Sequence, residues 1–364
     1  MIGLAALVLV LALVIWAVAR FHLSGQDLSA YDRPPGRQFS GGSAPSAELG
    51  AVVASLGRVS LALKGVPRRR QIHVLRDYLD NMFADEDLGA AFTPVNAGGV
   101  PGEWVRAPNA DGARRLLYIH GGAFTMGSPR SHRRLTSKFS EISGATVLAI
   151  DYRLMPEHSR MAGIEDCRTA YRWMLENGPD GRGEAATVYV AGDSAGGNLT
   201  LSLIAWVRDQ RLRPPDAAVA LSPLTDSTLA SPSIKTNIPT DPMLGPLFGL
   251  LARIPRALML WGTWIQTRIN PSDPSISPVY GDLSDLPPVL VQASEAEMLR
   301  DDARRWVNRA VEAGSPAKLQ TWPHMVHVWQ IFFPELTEGR AAFDQIGDFL
   351  AGASRSARPT STPP

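Results

Sequence analysis

Cysteine is nearly missing from this chain of 364 residues, Cys167 being its only one. No internal disulfide can therefore form, and no Cys/His cluster has the spacing of a zinc site, so no metal is expected. A surplus of one charge sign is missing too. The 36 Lys and Arg stand against 35 Asp and Glu, a formal net charge of +1, which gives no reason to expect nucleic acid as a partner. No segment repeats at a fixed period. What remains is an ordinary globular balance, 45% hydrophobic and 20% charged, in a chain long enough to bury a sizeable core.

One apolar run stands out. Residues 2–19, IGLAALVLVLALVIWAVA, carry no charged or strongly polar side chain. At 1.5 Å rise per residue this run comes close to the ~30 Å hydrocarbon thickness of a bilayer. The expectation is a membrane anchor over residues 1–20, and membrane association through residues 2–19. Arg20, Arg33 and Arg37 follow it, and the positive-inside rule then puts the rest of the chain on the cytoplasmic side. A cleaved signal peptide is the alternative, with export after cleavage near Ala19, although no Lys or Arg precedes the run. A buried core helix fits poorly, because the run has no polar face.

Residues 21–45 include RPPGRQFSGGSAP and read as a linker. Residues 353–364, ending SARPTSTPP, read as a disordered tail. Residues 46–352 between them read as one domain. Helical patterns fill 46–86. From about residue 103, short β-rich runs such as RRLLYIH, ATVLAIDYR, ATVYVAG and PPVLVQAS alternate with amphipathic stretches. That alternation predicts an α/β fold, a mostly parallel twisted sheet with helices on both faces. Sites in such sheets form at the carboxyl ends of strands.

Two motifs fall at those ends. Residues 186–197, ATVYVAGDSAGG, end a β-branched run in Gly192-Asp193-Ser194-Ala195-Gly196, and a helical pattern follows. This is G-x-S-x-G in the strand–turn–helix context that lifts a serine hydroxyl clear of a sheet, at the positive end of a helix. Alone it is a weak signal. Residues 114–124, RRLLYIHGGAF, end a second strand in His120-Gly121-Gly122. Glycines there let backbone N–H groups approach a developing oxyanion. The expected donors are the N–H groups of Gly121, Gly122 and Ala195. His120 is expected to shape the turn, not to act as a base.

Together these motifs resemble the hormone-sensitive lipase family of the α/β-hydrolase fold, the esterases that share HGG and GDSAG. Asp151–His158 (DYRLMPEH), Ser222–Asp226 (SPLTD) and Asp273–Pro278 (DPSISP) look like further family segments. The resemblance spans roughly residues 85–350. It implies a serine carboxylesterase acting on short- to medium-chain esters, with no cofactor and with a small-molecule ester as its partner. It also implies a helical cap, here about 46–86 and 233–270. Two departures stand out. Ala123 occupies a place where a glycine is usual. SRMAGIEDC follows His158 where proline-rich residues are usual, which points to an altered entrance with the chemistry kept.

The triad of this fold runs Ser, then Asp or Glu, then His. After the strand PPVLVQAS come Glu295, Glu297, Asp301 and Asp302. Glu297-Met298-Leu299-Arg300-Asp301 matches the family's D-x-L-x-D, whose first acid is the catalytic one, so the resemblance implies Glu297. Glu295 stays open, while Asp301 and Asp302 suit the start of a helix. After the strand AKLQTW come His324 and His327. The family pattern of a histidine, a small residue and an aromatic fits His327-Val328-Trp329 and implies His327 as the base. The insertion 243–266 is very apolar, and reads as core, as an acyl pocket or as a membrane-contacting surface. A lactone hydrolase or an acetyl-ester deacetylase needs the same three residues. A non-catalytic binding protein on this fold and a homodimer stay open.

Overall fold

The computed structural model describes residues 2–34, 36–39 and 44–356. Eleven strands and eleven α-helices alternate along it. The strands are β1 (Arg37–Gln38), β2 (Ala91–Ala97), β3 (Val100–Arg106), β4 (Asp111–Ile119), β5 (Ala145–Ile150), β6 (Asn177–Gly178), β7 (Gly181–Arg182), β8 (Thr187–Asp193), β9 (Ala217–Leu221), β10 (Val289–Ser294) and β11 (Ala317–Trp322). The helices are α1 (Ile2–Val18), α2 (Ala47–Leu63), α3 (Arg68–Asn81), α4 (Arg133–Ser143), α5 (Arg160–Glu176), α6 (Ala195–Asp209), α7 (Ser233–Thr236), α8 (Leu244–Phe248), α9 (Arg256–Thr267), α10 (Arg300–Glu312) and α11 (Thr337–Ser356).

Nine strands form one sheet in the order β1-β11-β10-β9-β8-β4-β5-β3-β2, and β6 and β7 make a small hairpin. All its pairings are parallel except those of β3 with β2 and β5. The central strands β5, β8 and β9 are apolar over most of their length because both faces are covered. In β4 the alternation divides the side chains. Leu117 and Ile119 join the core under α5 and α6, while Leu116 and Tyr118 join the core under α4 and α11. α10 closes the far side through Trp306 against Val289, Val291 and Leu319. This is the architecture that the alternating pattern predicts.

The N-terminal expectation is corrected here. No helix among the described residues is long and apolar enough to cross a membrane, so the single span over residues 1–20 is not present. α1 has 17 residues, about 25 Å at 1.5 Å rise and short of a ~30 Å core. It gives way at Ala19 to a π-turn, Ala19–Leu23. Ala19 and Leu23 are buried against Leu260 of α9, and the Trp261 indole N–H donates to the Ile15 carbonyl at 3.0 Å. Packing against α9 ends the regular helix and ties its last turns to the domain. The orientation read from Arg20, Arg33 and Arg37 falls with the span; Arg37 sits in β1, with its guanidinium over Phe39.

The stretch expected as a linker carries a 3₁₀ turn (Ser29–Tyr31) and β1, which pairs with β11. Arg305 holds Asp32 from α10 at 2.6 Å. α11 runs on to Ser356, four residues past the expected domain end. The rest of the expected tail, 357–364, lies outside the described residues.

Candidate active site

β8 ends and α6 begins at Ser194, whose backbone takes φ 51° and ψ −114°. That left-handed conformation is strained for a serine, and the neighbouring glycine makes it attainable. A Cβ on Gly196 would overlap the Ile119 carbonyl oxygen of the adjoining strand β4. The Ser194 N–H donates to Leu221 O at 2.7 Å, locking the turn to β9.

The two partners arrive from neighbouring strands. Just past β10, Glu297 is fully buried, and just past β11, His327 is 3% exposed. Ser194 Oγ–H donates to His327 Nε2 at 2.9 Å, and His327 Nδ1–H donates to Glu297 Oε2 at 2.8 Å. Glu297 Oε1 accepts the Ser294 N–H at 3.1 Å. Burial alone would lower the imidazole's pKa. The Glu297 carboxylate overrides it and leaves His327 above its ordinary value. Burial likewise raises Glu297, with the His327 hydrogen bond opposing it.

The other acids considered face elsewhere. Glu295 pairs with Arg304. Asp301 pairs with Arg300 and accepts the Ser233 N–H. Asp302 accepts the N–H groups of Thr225 and Asp226. His324 is exposed on its loop.

The glycine loop after β4 is braced from below. Asp193 Oδ1 accepts the Tyr118 hydroxyl at 2.8 Å and the Gly121 N–H at 3.0 Å, and His132 Nε2 lies 3.4 Å from Oδ2. Burial disfavours the Asp193 charge, but His132 and the hydroxyl hold its pKa below the ordinary value. The Gly121 N–H, one of the expected oxyanion donors, is thereby engaged by Asp193. Gly122 follows with φ 113°, and a Cβ there would overlap the Met126 carbonyl. Ala123 and Phe124 also take positive φ, 53° and 61°. His120 behaves as expected. Its Nδ1–H donates to Gly121 O at 2.8 Å, and burial with the neighbouring His132 lowers it to about 3, so the ring is neutral.

Above Ser194 lies an apolar cavity of about 290 Å³. Ala123, Phe124 and Ala195 line one side, and Leu244, Phe248 and Ala252 of the insertion line another. That places part of the apolar insertion beside the serine. The residues just before the insertion do a second job that the sequence does not reveal. Asn237 Nδ2 donates to the Glu295 and Glu297 carbonyls, both at 2.9 Å, and Asp241 Oδ2 accepts the Met298 N–H at 2.8 Å. These polar side chains hold the turn that carries Glu297. α2 buries Leu49 and Val52 against Trp322, Met325 and Trp329, covering the His327 loop. Arg76 of α3 pairs with Glu157 at 2.8 Å and draws its carboxyl down to about 2. Asp193 and Glu157 thus brace loops as their motifs suggest. His132, Asn237 and Asp241 carry no local motif and escape a reading of the sequence. Among the described residues no group of His, Cys, Asp and Glu could hold a metal ion.

A family model described as alpha/beta hydrolase fold matches residues 116–331. The chain is 41% identical over 261 residues to an acetyl-hydrolase of Streptomyces hygroscopicus, covering 71% of this chain and 82% of that protein. It is 35% identical over 277 residues to the carboxylesterase/phospholipase LipF of Mycobacterium tuberculosis, covering 73% and 70%. Among solved structures, an esterase from the bacterial hormone-sensitive lipase family superposes with a TM-score of 0.73 at 36% identity, covering 85% of this chain and 99% of that one.

Proposed function

This chain belongs to the α/β-hydrolase family and is an esterase of the hormone-sensitive lipase type, and from that premise we propose that Ser194, His327 and Glu297 carry out ester hydrolysis through an acyl-enzyme. The observation that supports this most is the unbroken run of hydrogen bonds, 2.9 Å then 2.8 Å, from hydroxyl to imidazole to buried carboxylate. His327 Nε2 takes the Ser194 proton as Oγ attacks the ester carbonyl. Glu297 keeps the other ring proton on Nδ1 and stabilises the imidazolium that forms. His327 then protonates the departing alcohol, and water repeats the sequence to free the acid. The alkoxide of each tetrahedral intermediate rests on the N–H groups of Gly122 and Ala195, joined by that of Ala123. Gly121 holds the loop in place through Asp193. Each such donor contributes ~3 kcal/mol to the transition state.

The cavity favours short- to medium-chain esters. Its volume of about 290 Å³ and its apolar lining suit a modest acyl chain shared with the alcohol. The acetyl-hydrolase relative favours an acetyl ester as a second reading of the acyl group. Two experiments test the proposal. Ser194→Ala should abolish hydrolysis of p-nitrophenyl butyrate and labelling by a fluorophosphonate; activity at the parent level in that variant sinks the assignment. A panel of p-nitrophenyl esters from acetate to long acyl chains should peak at short to medium length.

A further inference from the structure

Arg160, the first residue of α5, falls in the segment where the chain departs from the proline-rich pattern. It does not line an entrance. It is 3% exposed and lies directly behind the glycine loop. Its Nη2 donates to Asn198 Oδ1 at 2.7 Å, and its guanidinium carbon stands 3.5 Å from the centroid of the Phe124 ring. Among the described residues no carboxylate reaches it within ion-pair distance. Asp166 is engaged by Arg153 at 2.7 Å, and Asp193 by Tyr118, Gly121 and His132. Its buried neighbours Tyr152 and Cys167 are pushed up by burial and stay uncharged. Burial lowers Arg160 itself only to about 10, so it is cationic at neutral pH.

A buried cation without a counter-charge is unfavourable, and a globular fold normally pairs it. Here the two groups it touches belong to the two elements that would supply the oxyanion donors. Phe124 ends the loop that carries Gly122 and Ala123, and it lines the cavity. Asn198 lies three residues into α6 from Ala195, about 4.5 Å of rise. Its amide also donates to Leu224 O at 2.8 Å and Ile276 O at 2.9 Å, which fixes it in place. Negative charge is absent from the carbonyl in the resting enzyme and appears there in the tetrahedral intermediate. A fixed cation behind the donors therefore favours the transition state over bound substrate.

We propose that Arg160 is a positioning residue whose buried charge, seated against Phe124 and Asn198, strengthens the oxyanion hole. The inference rests on Ser194 being the nucleophile, and the Ser194→Ala control fails separately if that reading is mistaken. The test compares Arg160→Met and Arg160→Lys by steady-state hydrolysis of p-nitrophenyl butyrate and by thermal melting. Arg160→Met should lower kcat by about tenfold or more, with KM within about threefold. Thermal melting checks that the fold is kept, since this variant removes the buried charge and the donor to Asn198 Oδ1 together. Arg160→Lys keeps the charge, and kcat should return to within about threefold of the parent. A Met variant with kcat within about twofold of the parent, a loss carried by KM alone, or a Lys variant as slow as the Met variant overturns the proposal. Should Arg160→Met fail to fold, Arg160→Gln, neutral but still able to donate to Asn198, takes its place and is read against Arg160→Lys by the same limits.

Discussion

Replacing Glu297 by glutamine alters one atom of a buried side chain and should remove most of the turnover. Oε1 accepts the Ser294 N–H at 3.1 Å, and Oε2 accepts the His327 Nδ1–H at 2.8 Å. The Ser294 amide can only donate, so a glutamine must keep its carbonyl oxygen there and turn its NH₂ toward Nδ1. Two donors cannot face each other. The imidazole therefore moves its proton to Nε2 and can no longer accept the one on Ser194. The equivalent change in a serine protease triad lowers kcat about 10⁴-fold, or ~5 kcal/mol at ~1.36 kcal/mol per decade. The expected result for Glu297→Gln is a fall in kcat on p-nitrophenyl butyrate of about 10³- to 10⁴-fold. Fluorophosphonate labelling should slow in parallel, with the fold intact by circular dichroism. Glu295→Gln is the control. Its carboxylate pairs with Arg304, and kcat should stay within about threefold of the parent. A Glu297→Gln enzyme that keeps more than about a tenth of its turnover would refute the tautomer argument and the choice of acid.

Other outcomes follow from the same geometry. Only neutral His327 can accept a proton, and its pKa lies above the ordinary value. Activity is therefore lost as pH falls through that raised pKa, and the acid limb of kcat/KM should have its midpoint above ~6.5; a midpoint lower than that contradicts the pairing with Glu297. His324→Ala should keep kcat within about threefold of the parent, because that ring is exposed; a loss as large as that of His327→Ala would reassign the base. Ala252→Phe fills part of the cavity beside Leu244 and Phe248. Each methylene it excludes forfeits ~0.8 kcal/mol, so losing about two should shift the acetate-to-octanoate ratio of kcat/KM by about tenfold. An unchanged ratio would mean that the acyl chain lies elsewhere.

What a reader of the sequence alone can recover here is whatever the backbone expresses locally. A strand that must turn sharply into a helix needs small residues around Ser194, and a loop that must approach an alkoxide needs glycines after His120. Both demands leave a mark within five residues. The parallel sheet is legible for the same reason, since strands buried on both faces are mostly apolar. Partnerships across the fold leave no such mark. Nothing local says that the Gly121 N–H answers to Asp193, that Asn237 and Asp241 carry the turn of Glu297, or that Arg160 lies beneath Phe124. The N-terminal run shows the limit most plainly. Its composition matches a bilayer span, but the regular helix stops where Ala19 and Leu23 find Leu260, a residue some 240 positions away. Hydropathy reports what a segment could bury itself in, whereas only the tertiary contacts decide what it meets.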